Sequence, residues 1–142
     1  MAQVISATTA FGRNSLSGKR TRFLLQAHDL LLRARSRAAA GDFEQAVEYA
    51  YQAALRTAGA WVADSSVGRR KRLPASAWDR LSLVGGAAGE WVELFRPYSR
   101  LRSRLISGLE DSVSADNAMA LISSVADFLY AAEGTELVAA AA

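Results

Sequence analysis

Histidine is the side chain best suited to moving a proton near neutral pH, and this 142-residue chain has one, His28. Arginine suits planar, forked contacts with phosphate or carboxylate. Basic residues gather at Arg33, Arg35 and Arg37, at Arg69, Arg70, Lys71 and Arg72, and at Arg96, Arg100, Arg102 and Arg104. Arg96, Arg100 and Arg104 recur every fourth residue, so on a helix they line one side while Arg102 points elsewhere. As a functional stripe, joined by the four residues from Arg69 to Arg72, they would contact phosphates, with an affinity that falls as salt rises. Tyr98 could then stack a base. As a structural feature, the stripe is a solvated helix face neutralised by Glu110, Asp111 and Asp116. Like charges on an exposed helix cost only about a few tenths of a kcal/mol per pair, so the structural reading is the simpler one. Tyr98 shares the spacing of Trp91 and Leu94 and is expected in the core.

His28 lies one turn after Leu24 and one before Leu31 and Leu32, at the border of an apolar face. It is a weak candidate for a general acid or base. No Ser or Cys nucleophile signature lies near it, and a half-buried histidine with one hydrogen bond is the simpler expectation.

Other chemistries are limited by composition. There is no cysteine and only one histidine, which excludes disulfides, thiol catalysis and a multi-histidine metal site within one chain. No metal and no cofactor are expected. Gly18-Lys19 resembles the end of a phosphate-binding loop, but five residues rather than four separate Gly12 from Gly18, Arg20 follows the lysine and no strand precedes, so the pattern fails. Gly85, Gly86 and Gly89 follow no strand, as a dinucleotide loop would require. No apolar run approaches the ~20 residues that span a bilayer, and the N-terminus lacks a charged region followed by an apolar one, so no secretory signal is expected. A cytoplasmic protein without a membrane partner is expected. Net charge is +3, yet every charged residue from Glu110 onward is acidic.

The elements that must position these residues are helices. Proline is nearly absent and Ala, Leu and Arg outweigh β-branched residues. The central helix is read over Asp42 to Ala63, with Asp42-x-x-Gln45 as its cap. Its apolar face is too wide for a helix with one neighbour. A first helix runs from about Thr21 to Ala40, and Gly41 ends it. Asp64 to Pro74 is a basic loop, and Ser76-x-x-Asp79 caps a short helix carrying Trp78, the tryptophan expected to be partly exposed. A long helix follows from about Ala87 to Leu109, with a kink or restart near Pro97. The last spans Ser114 to Glu133, with Ala118, Met119, Ile122, Val125, Ala126, Leu129 and Tyr130 facing in and Gly134 as its end. The division is a mobile tail at 1–20, a bundle at 21–134 and a frayed tail at 135–142. The fold class is all-α, an antiparallel up-and-down four-helix bundle with a short extra helix.

The stretches GDFEQAVEYAYQAALRTAGAW (Gly41 to Trp61) and FRPYSRLRSRL (Phe95 to Leu105) resemble the HEPN superfamily, and within it a small actinobacterial branch. The resemblance covers about residues 21 to 133. It implies a four-helix bundle, frequently dimeric, and either a metal-independent ribonuclease or toxin or a domain that only binds nucleotide or partner proteins. The ribonuclease members use an Arg followed four to six residues later by His. Arg96 is the natural counterpart of that Arg, but no His follows it, and His28 lies on another helix. The expectation is a non-catalytic HEPN-like domain that forms a homodimer and binds a protein or nucleotide-containing partner. The alternative is an RNA-binding or RNA-cleaving, toxin-like protein using the Arg-rich helix.

Overall fold

The computed structural model describes the backbone of residues 3–141 and the side chains of residues 18–134. All regular structure among the described residues is helical: α1 (Gln3–Ala39), α2 (Phe43–Ala63), a 3-10 turn (Ser66–Arg69), α3 (Ala77–Val84), α4 (Ala87–Ile106) and α5 (Ala115–Ala141). α1, α2, α4 and α5 form the antiparallel bundle, and α3 is the short extra helix. No helix among the described residues is long and apolar enough to cross a membrane.

α2 sits at the centre and packs against all four other helices. Its closest partner is α1, and alanine is the reason. Ala46, Ala50, Ala53, Ala54 and Ala58 are fully buried, so a neighbouring backbone can approach where longer side chains would hold it off. The α1–α2 turn is short because Gly41 takes φ +81°, a conformation that costs glycine little. The Gly41 amide donates to the Ala38 carbonyl at 3.0 Å and the Asp42 amide to Arg37 at 2.9 Å, closing the free carbonyls of α1. The Asp42 carboxylate then accepts from the Gln45 amide at 3.2 Å, so one residue ends a helix and caps the next.

Aromatic rings fill the far side of the core. Phe128 of α5 lies 5.0 Å, centroid to centroid, from both Phe95 and Trp91 of α4. It is 5.8 Å from Trp61 of α2 and 6.3 Å from Trp78 of α3. The backbones of α4 and α5 hardly approach each other, so the rings carry that contact. Trp78 is buried at 4 % exposure, which corrects the expected partial exposure. Its indole N–H donates to the Tyr51 hydroxyl at 2.7 Å, so burial leaves no donor unpaired.

Several boundaries differ from those read in the sequence. α1 begins at Gln3 rather than near Thr21. Extending a nucleated helix adds a hydrogen bond per residue without a second nucleation cost, and no proline interrupts residues 3–20. Most side chains of the expected tail at 1–20, including Gly12 of the rejected phosphate loop, lie outside the described set, but Lys19 and Arg20 belong to the bundle. α5 passes through Gly134 to Ala141; a glycine inside a helix costs about 1 kcal/mol relative to alanine and does not by itself stop it. The side chains of the expected frayed tail at 135–142 are outside the described set.

α4 ends at Ile106 and does not restart at Pro97. Pro97 and Glu93, whose carbonyl loses its partner to the proline, are both exposed, so water can replace the missing amide. On α5, Met119 (50 % exposed) and Tyr130 (81 %) face solvent, while Leu121 and Phe128 fill the core instead.

Arg20 is buried at 6 % exposure. It donates from Nη2 to the Ala132 carbonyl of α5 at 3.3 Å and lies 3.8 Å from the Asp64 carboxylate. It therefore ties α1 to α5 and to the end of α2. Arg20→Ala is expected to cost about 1–3 kcal/mol, the penalty for orphaning buried partners, read as a lower urea midpoint with unchanged slope.

Candidate functional site

The basic turn is built by two apolar anchors. Val67 is buried and Leu73 is half-buried against the core, and the four residues Arg69 to Arg72 are strung between them. Gly68 permits the turn to lie on the end of α2, because a Cβ there would sit 2.7 Å from the Val62 carbonyl oxygen. With the anchors turned in, Arg69, Arg70, Lys71 and Arg72 are all exposed. None has an ion-pair partner among the described residues. Four exposed cations on one short segment concentrate positive potential at this end of the bundle.

The α4 stripe is arranged differently. Arg96 reaches the Asp79 carboxylate of α3 at 3.5 Å, and Arg104 reaches Glu110 at 3.3 Å. Arg100 is exposed and has no ion-pair partner among the described residues. Arg102 turns inward. Its Nε and Nη2 grip the Glu48 carboxylate of α2 at 2.8 Å each, and its guanidinium lies 5.3 Å from the centre of the Tyr51 ring. The structure therefore divides the cluster into one lock between helices, two paired surface arginines and one open cation. Tyr98 is half-buried and packs against the core.

The Arg102 hydrogen bonds hold the Glu48 carboxyl below the ordinary carboxylate range; burial opposes them, and a bond from Gln52 adds to them. A depressed folded pKa stabilises the fold above the unfolded value of about 4.3, and that stabilisation is lost as pH falls through the lower folded value. Glu48→Gln is expected to cost about 1 kcal/mol at pH 7, a charged hydrogen bond discounted for partial exposure. Urea melts at pH 7 and pH 3 should show a smaller acid loss in the variant than in the parent.

His28 is exposed on α1 and pairs with Glu133 of α5. Arg96 pairs with α3, so the candidate acid/base and the candidate phosphate arginine take partners on different helices. No group of three or more His, Cys, Asp or Glu among the described residues could hold a metal ion.

A feature with no signal in the sequence lies beside the basic turn. α1, the end of α2, the turn and the start of α3 enclose a pocket of about 380 Å³. Phe23, Leu55, Val62 and Leu73 give it apolar walls, and Lys19, Arg56 and Arg80 are its charged residues. Gly59 makes the floor, since a Cβ there would stand 3.0 Å from the Phe23 ring. The sequence places Lys19 in the expected tail and Arg56 and Arg80 in none of its basic clusters.

Residues 32–133 match the model of a family described as SAV_6107-like HEPN. The two stretches that carried the sequence resemblance both fall within that span. No curated protein and no solved structure matches the chain.

Proposed function

The chain belongs to the SAV_6107-like HEPN family, and from that premise we propose that it is a non-catalytic binding domain for a nucleotide-containing partner. The observation that carries this reading is the solvated run Arg69, Arg70, Lys71 and Arg72, held outward between Val67 and Leu73 with no ion pair among the described residues. Arg100, on α4, is a further exposed cation without an ion-pair partner among the described residues. The partner's phosphates are the groups such a surface recognises.

Cleavage through Arg96, Arg100, Arg104 and His28 is the less favoured reading. Two of the three arginines are committed to carboxylates, and His28 is committed to Glu133. A homodimer is proposed with the binding reading. Ile106 (70 % exposed) and Leu109 (78 %) crown the α4–α5 end, beside a groove lined by Leu94, Tyr98 and Leu101. That is apolar surface a second copy could cover.

The test is fluorescence anisotropy with a labelled single-stranded RNA 20-mer at 50 and 200 mM salt, with the RNA then run on a denaturing gel. Binding that weakens with salt while the RNA stays intact is expected. RNA that binds no better than to a neutral protein of this size would redirect the search to a protein partner. RNA that is cut, and is no longer cut by His28→Ala, would overturn the non-catalytic reading.

A further inference from the structure

The pocket beside the basic turn has a composition of its own. Among the described residues its charged side chains are all cationic, and no acidic or amide side chain lines it. Lys19 Nζ lies 5.7 Å from the centre of the Phe23 ring, and the Arg56 guanidinium lies 5.9 Å from the same ring, so two cations converge on one apolar wall. Arg80 donates through Nε to the Pro74 carbonyl, which fixes the guanidinium while its terminal nitrogens keep their donors. At about 380 Å³ the space falls within the ordinary range for small-ligand pockets, roughly 300–1,000 Å³.

A nucleobase is a poor occupant. Base edges present donors as well as acceptors, and among the described residues no Asn, Gln, Ser, Thr, Asp or Glu side chain lines the pocket to accept from them. An uncharged apolar molecule would leave three cations unused. A ligand with an apolar body and one anionic headgroup satisfies both halves.

We propose that this pocket binds a small amphipathic organic acid, its body against Phe23, Leu55 and Leu73 and its headgroup held by Lys19, Arg56 and Arg80. The pocket shares Gly68 and Leu73 with the basic turn but none of the four cations from Arg69 to Arg72, and the proposal stands whether or not the turn binds RNA. Charge-assisted hydrogen bonds from Lys and Arg supply the headgroup affinity, and the apolar walls supply the rest in proportion to the area covered.

The probe is 8-anilinonaphthalene-1-sulfonate, which combines an aryl body with a sulfonate, and the competitor is decanoate. A saturable, one-site rise in fluorescence is expected, reversed by decanoate but not by decanol, acetate or AMP. Lys19→Gln combined with Arg56→Gln, both at exposed positions, should weaken decanoate by about tenfold or more with an unchanged thermal melt. Amide shifts on adding decanoate should centre on Leu55, Val62 and Leu73. The proposal fails if neither probe nor decanoate binds the folded protein at millimolar concentration. It also fails if decanol, acetate or AMP competes as well as decanoate, if the double variant binds like the parent, or if the shifts fall in the α4–α5 groove.

Discussion

Phe128→Ala should remove a large part of the stability of this protein. The side chain is fully buried and is the ring on which Trp61, Trp78, Trp91 and Phe95 converge. Truncating a buried phenylalanine costs about 3–5 kcal/mol, since the surrounding structure relaxes only partly into the cavity. Whole domains hold only about 5–15 kcal/mol. Here the cavity would open where four helices meet, and rings anchored on separate helices cannot all move in to fill it. Tyr130→Ala is the matched control, two residues along the same helix but 81 % exposed, and should change stability by no more than about 0.5 kcal/mol. Urea melts of the two variants read the contrast directly. Equal midpoints would mean that the inward face of α5 is not the one described.

Replacing Arg69, Arg70, Lys71 and Arg72 together by serine should all but abolish the RNA binding proposed for the turn. Each phosphate neutralised on a single strand contributes a slope of about −0.7 to the dependence of log affinity on log salt. Four contacts therefore make binding roughly 50-fold weaker at 200 mM than at 50 mM salt, and the variant should lose that dependence along with the affinity. The four side chains are exposed and make no ion pair among the described residues, so the melting temperature should stay put while binding goes. Arg96→Ala with Arg104→Ala should have the smaller effect, because those cations already spend their charge on Asp79 and Glu110. If the α4 pair matters more than the turn, the proposed location of the site is wrong.

The bundle could be read from the chain because its strongest signals are local. The Asp42 cap, the Gly41 turn and the alanine face of α2 each act within a few residues of themselves, and each is found where the spacing puts it. α5 shows where locality ends. Residues 118, 122, 125 and 129 fix the centre of its buried stripe, but both flanks are apolar, Met119 and Tyr130 on one and Leu121 and Phe128 on the other. Only the neighbouring helices decide which flank turns in. The same limit applies to the sites. Spacing puts Arg96, Arg100 and Arg104 on one side of α4, but Asp79, which pairs with Arg96, lies on α3. The pocket cations at 19, 56 and 80 come from three separate helices, and no linear pattern joins them.

The way α4 is attached has a consequence for how the molecule breathes. A helix seated backbone to backbone, as α1 is on α2, comes off only when the whole structure does. α4 instead leans on α5 through a few flat rings and is otherwise held by its short neighbour α3 and by a smaller contact with α2 that includes the clasp between Arg102 and Glu48. α4 is then the helix of the bundle expected to open first, at less than the full free energy of unfolding. Amide protons along α4 should trade with solvent ahead of those buried in α2, and loosening the clasp by acid would widen that gap.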